Sequence, residues 1–384
     1  MKNLFGEFMN AMIKKLLQEQ AVEWQALGEV LVRTKGTKIT AGKMKELHKR
    51  DAPIKIFAGG KTFALVDFDD IPQKDINHKP SIIVKSRGII EFEYYDKPFS
   101  HKNEMWAYHS QNPNINIKFI YYFLKQNEPY FQKIGSKMQM PQIATPDTDK
   151  FKIPIPPLSV QSQIVQILDT FTELNDQLTT ELSMRQKQYQ YYRDLLLSEH
   201  ELAKVGFEWK SLGKLGIINR GKRVVKSQLT TEGVYPVYQN SLQPLGYFDK
   251  SNVKANTTFM ITAGAAGEIG YSNCAFWPAD DCYYFDCPKD VLDDRFLYHS
   301  LKKQQNKIFS QVRKASIPRL GRNSVENIKI PIPPLSVQSQ IVAILDTFDT
   351  LVSSISEGLP KEIKLRQKQY EYYREQLLNF KATI

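Results

Sequence analysis

The sequence predicts an α+β fold class, in which two globular domains are separated by two long antiparallel helices (a coiled coil) with pseudo-twofold internal symmetry. One segment, IPIPPLSVQSQIV, occurs twice, from Ile153 and again from Ile330. Each copy continues as an amphipathic stretch that ends in Arg-Gln-Lys-Gln-Tyr, at Arg185 and at Arg366. The blocks that precede the copies are much less alike, and the repeat distance is too long for a solenoid, so we interpret the chain as a duplicated unit. The predicted domain boundaries are 1–152, 153–202, 203–329 and 330–384.

Composition limits the class of protein. The chain has 384 residues and a formal net charge of +11, which suggests two or three domains and a polyanionic partner, first nucleic acid and second an acidic membrane surface. The three cysteines, Cys274, Cys282 and Cys287, include no Cys-x-x-Cys pair, so the sequence indicates neither a disulfide framework nor a zinc knuckle. We therefore expect a cytoplasmic protein. No apolar run approaches a membrane span, and the N-terminal segment has the pattern of an amphipathic helix, not of a signal peptide.

Prolines open each copy of the repeated segment. Pro154, Pro156 and Pro157 fix φ and remove backbone donors, so an extended chain should leave the globular block here. Ser159 and Ser336 stand where a helix N-cap is expected. A helix over about residues 159–198 would be roughly 60 Å long.

Apolar residues then recur at alternating spacings of four and three, which is the heptad pattern of paired helices. The second copy is four residues longer, the length of a stutter, and Gly358 and Pro360 lie at the insertion, so we expect a kink or short break there. The predicted partner of each copy is the other copy, because linkage raises its effective concentration. An intermolecular dimerisation coiled coil is the alternative. The predicted core of the helix pair is Ile164, Leu168, Phe171, Leu178, Leu182, Tyr189, Tyr192, Ile341, Leu345, Phe348, Ile355, Leu359, Tyr370 and Tyr373.

The two variable blocks also correspond to each other. Residues 23–28 parallel 208–213, and a basic turn with a glycine follows in each block, at 35–38 and 220–223. Runs of β-branched and aromatic residues alternate with Gly and Pro turns and short helices, which favours α+β blocks with a twisted sheet.

The basic turns are the best candidates for nucleic-acid contact. Glycine lets a backbone approach a phosphate, and lysine and arginine supply affinity that is independent of sequence. The alternative is a solvated basic loop. Gln239 and Asn240 could read an adenine edge. The candidate DNA contacts are Lys35, Gly36, Lys38, Arg87, Lys137, Arg220, Gly221, Lys222, Arg223, Gln239, Asn240, Arg313, Lys314, Arg319 and Arg322.

The sequence predicts no catalytic or metal site. Residues 58–62 look like the end of a phosphate-binding loop, but Lys55 stands where that motif needs glycine. Pro156 and Pro157 lack the polar neighbour of the adenine-methyltransferase signature. No His, Cys or carboxylate cluster has metal-site spacing.

The two IPIPPLSVQSQ segments, their heptads and the RQKQYxYYR endings together resemble the specificity subunit of type I restriction-modification systems. The resemblance covers nearly the whole chain. Residues 234–240, 264–270 and 317–320 look like elements of the target recognition domains of that family, and the first block matches them more loosely. The resemblance implies a non-catalytic subunit in which each target recognition domain reads one half of a bipartite DNA site, and the helices set the spacer as dimer geometry sets half-site spacing.

The same resemblance implies the partners: double-stranded DNA, two modification (methyltransferase) subunits, restriction subunits where the system is complete, and no membrane. S-adenosylmethionine, ATP and Mg would be bound by the partner subunits and no cofactor by this chain. The outer helix face, with Lys187, Arg193, Lys368 and Arg374, is the expected docking surface, and a solvated charged face is its alternative. Two other functions stay open: an orphan DNA-binding scaffold without active partner subunits, and a stand-alone enzyme, which the lack of a catalytic motif in the sequence disfavours.

Overall fold

The computed structural model describes residues 2–17, 22–136, 140–353 and 358–380. The chain forms two compact units, Met1–Gln177 with Lys364–Ile384, and Leu178–Ile363. Up to the long helix that the two units share, the elements are α1 (Lys2–Leu17), β1 (Glu23–Ala26), α2 (Leu27–Val30), β2 (Val32–Arg33), α3 (Ala41–Leu47), β3 (Ile54–Phe57), β4 (Phe63–Val66), β5 (Ser81–Lys85), β6 (Glu91–Tyr95), β7 (Phe99–His101), β8 (Trp106–His109), α4 (Ile117–Gln126), α5 (Glu128–Gly135), α6 (Thr145–Asp149), β9 (Lys152–Ile155) and α7 (Leu158–Leu196).

The remaining elements repeat most of that order. They are α8 (Glu199–Ala203), β10 (Glu208–Ser211), α9 (Leu212–Leu215), β11 (Ile218–Arg220), β12 (Tyr235–Tyr238), β13 (Gly246–Phe248), β14 (Thr257–Ile261), β15 (Ile269–Ser272), β16 (Trp277–Pro278), β17 (Cys282–Phe285), α10 (Asp294–Lys303), α11 (Gln305–Ser310), α12 (Arg322–Glu326), β18 (Lys329–Ile332), α13 (Leu335–Ser353) and α14 (Leu359–Leu377). Among the described residues, no α-helix stands at the position of α3, and two helices, α13 and α14, stand at the position of α7.

Both units have the same sheet topology. The first unit contains a four-stranded sheet of order β2-β8-β5-β6, a three-stranded sheet β4-β3-β7 and a ribbon β1-β9. The second contains β11-β17-β14-β15, β13-β12-β16 and β10-β18 in the same arrangement, with the β3·β7 and β12·β16 pairs both parallel. The α+β prediction is confirmed, and the duplication extends through the blocks whose sequences diverged.

The central strands follow from their composition. Ile82, Ile83 and Val84 in β5 are all fully buried, which fits a short β-branched run covered on both faces. In the second unit β14 is buried at every position. The helix that follows each sheet starts at a side-chain cap: Asn116 accepts from two backbone amides of α4, and Asp293 does the same for α10.

The proline segments are extended, as predicted, because each forms a strand. Pro154 in β9 lies opposite Trp24 in β1, and Pro331 in β18 lies opposite Trp209 in β10. The predicted N-caps are wrong, since α7 and α13 begin one residue before Ser159 and Ser336. The carbonyls of Pro157 and Pro334 already accept the first amides of the helices, which leaves both serines exposed in the first turn.

The helix pairing is also confirmed. In the first unit the start of α7 packs against α14, where the rings of Phe171 and Tyr373 stack with centroids 5.4 Å apart. In the second unit the end of α7 packs against α13, where Tyr192 and Phe348 stack at 5.3 Å. The start of α7 thus contacts α14, and its end contacts α13, which precedes α14 in the chain. The two copies of the repeat therefore run antiparallel to each other.

Of the interruption expected in the second copy, the structure describes Gly358, which belongs to no helix and directly precedes the start of α14 at Leu359. Residues 354–357 lie outside the described residues. A Cβ on Gly358 would lie 2.5 Å from the carbonyl oxygens of Thr350 and Leu351, so only glycine fits against the end of α13. The Gly358 carbonyl in turn accepts the amide of Lys361 at 3.1 Å at the start of α14.

Candidate nucleic-acid interface

The basic turn of the second unit lies against the loop that joins β16 to β17. The amide of Gly221 donates to the carbonyl of Cys282 at 2.9 Å. A Cβ on Gly221 would come within 2.0 Å of the Ala279 carbonyl oxygen. The glycine is therefore required by packing between two loops, and gives no separate support for approach to a phosphate. The three basic side chains around it are exposed: Arg220, Lys222 and Arg223.

Gln239 and Asn240 border the same loop. The Cys282 thiol donates to the Gln239 carbonyl at 3.1 Å, and the Ala265 amide donates to the Asn240 carbonyl at 2.9 Å. Gly264, with φ of +82°, packs against Asn240 so closely that a Cβ would lie 2.8 Å from its carbonyl oxygen. Within the described part of the chain, neither amide side chain hydrogen-bonds to protein. An exposed amide such as that of Asn240, on a fixed backbone, can make the two bonds that an adenine edge offers.

A third segment, residues 313–319, forms a narrow turn that joins the same surface. The Arg313 and Arg319 backbones bond to each other at 2.9 and 3.2 Å. The Leu320 amide donates to the Thr262 carbonyl at 2.8 Å, and the Thr262 amide to the carbonyl of Asp281 in the β16–β17 loop at 2.7 Å. These backbone bonds unite residues 220–223, 239–240, 262–265, 278–282 and 313–320, which we name the second loop surface.

The basic side chains on and beside this surface differ in how freely they could contact DNA. Arg313, Lys314 and Arg319 are exposed. Arg220 is held by a bond from its Nε to the Asp280 carbonyl at 3.1 Å. Arg322 belongs to α12, where it forms an ion pair with Glu326 at 2.7 Å, so it is the least available of the candidates.

The first unit builds an equivalent surface around His101. The Thr37 amide donates to the His101 carbonyl at 2.8 Å, and a Cβ on Gly36 would lie 2.4 Å from that oxygen. As in the second unit, packing accounts for the glycine, while Lys35 and Lys38 are exposed.

Arg87 lies in the turn after β5, which corresponds to the turn at residue 263. It forms a bridge with Gln142, as Ala263 does with Arg319 in the second unit. The Ser86 hydroxyl donates to the Glu104 carbonyl at 3.4 Å, which joins this turn to the loop after β7. Residues 34–38, 86–88, 101–105 and 140–143 form the first loop surface. Lys137 lies outside the described residues.

A cavity of about 760 Å³ opens on the first loop surface. Its lining includes Lys35 and Gly36, but also residues that the sequence reasoning missed: Arg33, Lys74 and Asn103. They come from three separate segments of the chain, so no local sequence pattern indicates that they lie together. The buried His101 is also part of the lining, and burial lowers the pKa of this imidazole, which keeps it neutral.

Two glutamines of the repeated segment, also missed, attach the long helices to the units. Gln161 is fully buried; its carbonyl accepts the Asn116 amide at 2.8 Å, and its amide group donates to the Asn114 and Pro156 carbonyls at 3.1 and 2.8 Å. Gln338 makes the same three bonds, to Asp293, Val291 and Pro333, at 2.9, 2.9 and 2.8 Å. The signal was present, because both glutamines lie within the thirteen identical residues.

Two aspartates of the repeat form a second attachment. Asp169 accepts from Lys118 at 2.8 Å and from the Tyr122 hydroxyl at 2.5 Å, both on α4. Asp346 accepts from Arg295 at 2.6 Å and from His299 at 2.7 Å, both on α10. We call each aspartate with its partners a polar anchor.

The residues predicted for the helix-pair core are grouped by burial. Those near the starts of the two copies, together with one near the end of α14, are buried: Ile164, Leu168, Phe171, Ile341, Leu345 and Tyr373. The others are half-buried: Leu178, Leu182, Tyr189, Tyr192, Phe348, Leu359 and Tyr370. Ile355 lies outside the described residues.

The four cations expected on the outer helix face separate into two pairs. Lys187 and Lys368 are exposed. Arg193 and Arg374 instead lie over the tyrosine one turn earlier, with guanidinium carbons 5.6 Å and 5.4 Å from the ring centroids of Tyr189 and Tyr370. This cation–π contact accompanies the half-burial of both arginines, so Lys187 and Lys368 are the more accessible charges of the expected docking surface.

Three sequence features could have indicated another function: a phosphate-binding loop, a metal site and a membrane span. Residues 58–62 form a tight hairpin turn between β3 and β4, with the Ala58 amide donating to the Thr62 carbonyl at 3.0 Å. Across the described ranges, no group of three or more His, Cys, Asp or Glu side chains is placed to hold a metal ion. Nor does any described helix have the length and hydropathy needed to cross a membrane.

A protein-family model, the type I restriction modification DNA specificity domain, matches the chain twice, at residues 22–184 and 204–365. The chain is 32% identical to a type I restriction enzyme specificity subunit of Escherichia coli, over 96% of each sequence. It is 30% identical to a putative type I restriction enzyme specificity subunit of Haemophilus influenzae, over 96% of this chain and 98% of that one.

Solved structures support the same fold. The crystal structure of a type I restriction-modification S subunit from M. genitalium superposes with a TM-score of 0.71 at 19% identity, covering 95% of this chain and 98% of the other. A chain from a structural study of complex assembly and conformational transition in a type I system gives a TM-score of 0.51 at 15% identity, with coverage of 94% and 99%.

Proposed function

This chain belongs to the family of type I restriction-modification DNA specificity subunits, and from that premise we propose that its two loop surfaces each read one half of a bipartite DNA sequence. It is the non-catalytic, sequence-recognising subunit of its complex. The observation that carries the proposal is the pair of surfaces itself, since one topology builds both. Their exposed side chains differ, however, so the two half-sites should differ in sequence.

On each surface we assign phosphate contacts and base contacts to different side chains. Exposed lysines and arginines, such as Lys222 and Arg223, neutralise phosphates and position the unit without selecting a sequence. Asn240 in the second unit and Asn103 in the first carry amides that can read a base edge.

The repeated helices set the unread spacer. The polar anchors and the buried glutamines fix each helix to its unit, so helix length would determine the distance between half-sites. In this division, residues 1–152 and 203–329 are the target recognition domains, and 153–202 and 330–384 are the helical regions. Removing the four extra residues of the second copy should change the preferred spacer. An unchanged spacer would contradict this role.

The duplication also supports two equivalent docking sites for modification subunits, one on each copy of the repeat. Lys187 and Lys368 occupy the same position in the two copies and are both exposed. Restriction subunits would join where the system is complete. S-adenosylmethionine, ATP and Mg would be bound by these partners.

The test is a genome-wide map of methylated adenines in cells that supply a cognate modification subunit, with and without this gene. We expect a bipartite motif that is present only with the gene, and identical maps would reject the proposal. Asn240→Ala should relax one half-site and leave the other unchanged. As a matched control, Lys222→Gln with Arg223→Gln should lower methylation across all sites without altering the motif.

A further inference from the structure

A polar cleft of about 710 Å³ in the second unit lies beside the helix pair, which contributes Tyr189 to its lining. It opens between the second half of α7 and the helices α10 and α11. Its lining includes three tyrosines and three cations: Tyr189, Tyr271, Tyr298, Arg193, Lys302 and Lys303.

The carboxylates nearest the cleft are already occupied. Arg295 at its base is bound by Asp346 at 2.6 Å and by Asp349 at 2.7 Å. Arg193 forms a longer ion pair with Asp194, at 3.4 Å, and its guanidinium lies over the ring of Tyr189.

The hydrogen bonds of the two lysines to described residues go to neutral groups. The Lys302 Nζ is 3.4 Å from the amide oxygen of Gln305, and the Lys303 Nζ donates to the Leu197 carbonyl at 2.6 Å. Across the residues that the structure describes, neither lysine forms an ion pair. Burial lowers the pKa of both ammonium groups, because each charge loses hydration. Asp349 and Glu268 near Lys302, and Asp194 near Lys303, oppose this shift without reversing it.

At the equivalent position of the first unit, a carboxylate neutralises the lysine. Lys125, at the position of Lys302, forms an ion pair with Glu128 at 2.9 Å. Glu128 begins α5 as Gln305 begins α11, so the second unit has an amide where the first has a carboxylate. Gln126 likewise stands where the second unit has Lys303. The second unit therefore has one more cation and one fewer anion at the same place.

We propose that this cleft is a phosphate-binding site in which Lys302 and Lys303 bind phosphate oxygens and Arg193 contributes from the rim. Adjacent ammonium groups suit a ligand with several anionic oxygens, and tyrosine and amide groups supply further hydrogen bonds. The phosphate can come from the backbone of DNA bound by the second unit, which rests on the proposed function, or from a free polyphosphate, which does not.

Two measurements on the full-length chain separate the sources. Calorimetry with inorganic tripolyphosphate measures binding of free phosphate. The slope of log binding constant against log salt, for a duplex of arbitrary sequence, counts the DNA phosphates that are neutralised. The variants are Lys302→Gln with Lys303→Gln, and separately Gln305→Glu, which adds the carboxylate of the first unit. Lys125→Gln is the matched control.

A DNA source predicts that the salt slope falls in magnitude by about 1–2 in the double variant. A free-phosphate source predicts tripolyphosphate binding that weakens about tenfold in both variants. The control should match the wild type in either measurement. The proposal is overturned if neither quantity differs between wild type and both variants. Gln305→Glu retains every lysine, so its loss of binding cannot reflect a missing side chain. A wild type without DNA affinity would refute the proposed function and leave the tripolyphosphate test intact.

Discussion

The two polar anchors use the same aspartate of the repeat with different partners. In the first unit Asp169 holds a lysine and a tyrosine, and in the second Asp346 holds an arginine and a histidine. The second anchor has a further carboxylate, Asp349, which also binds the arginine. The repeated helices α7 and α13 kept the aspartate, while the partner side chains on α4 and α10 diverged. A repeated scaffold thus tolerates variable domains if each one keeps two donors at the position of the aspartate.

The largest effect should come from the attachment that did not diverge. Gln161→Leu and Gln338→Leu each remove three hydrogen bonds at a fully buried site and leave backbone partners unsatisfied, which should destabilise the local unit by about 3 kcal/mol. Hydrogen exchange of α4 and α10 measures the two units separately. Each substitution should raise exchange in its own unit, and equal changes in both units would contradict separate attachment.

Replacing the aspartates should show that the second anchor, which has two carboxylates, loses less stability from a single substitution than the first. Asp169→Asn removes the carboxylate of Lys118, which should cost about 1–2 kcal/mol at this partly exposed site. Asp346→Asn should cost less, about 1 kcal/mol, because Asp349 still binds Arg295. The double variant Asp346→Asn/Asp349→Asn should exceed the sum of its single variants, since it leaves a half-buried arginine unpaired. Denaturant titration followed by hydrogen exchange of α4 and α10 would measure these costs, and additivity would show that the second carboxylate gives no redundancy.

Prediction from sequence succeeded where the signal was periodic or repeated. The heptads indicated the helices and their pairing because burial of one helical face leaves a period in the sequence. Prediction failed where the contacting residue is distant in sequence. Gly36 is required because it packs against the carbonyl of His101, and Gln161 bonds to the loop before α4; neither contact leaves a local pattern. Asn103 and Lys74 join Lys35 only through the sheet order, so no local pattern could place them on the first loop surface.

The histidine should make only the second anchor sensitive to pH. Burial lowers the pKa of His299, although its bond to Asp346 and the charge of Asp349 oppose the shift. Arg295 adds to the lowering, and the Tyr189 hydroxyl lies 3.2 Å from the imidazole Nδ1. The unfolded chain therefore binds the proton more readily, and this part of the stability is complete above about pH 6.5 and falls as pH drops toward the folded pKa. Exchange of α10, corrected for intrinsic rates, should rise at pH 5.5 relative to pH 7.5.

His299→Tyr, which copies the first unit, supplies the control for that measurement. It should abolish the pH dependence of α10 and leave α4 unchanged. His101 of the first unit also has a pKa lowered by burial, so local exchange of the helices decides the question, not global unfolding. A pH dependence that persists in His299→Tyr would assign the effect to another group.

The smallest effect concerns a position where sequence and structure disagree. If Ser159 and Ser336 were N-caps, replacement by alanine would cost about 1 kcal/mol at each helix start. Both serines are exposed in the first turn, and the proline carbonyls before them accept the first helical amides. We therefore expect Ser159→Ala and Ser336→Ala to change the free energy of unfolding by less than about 0.5 kcal/mol. Losses near 1 kcal/mol in both copies would show that the helices begin at the serines, and unequal losses would show that the two copies start their helices differently.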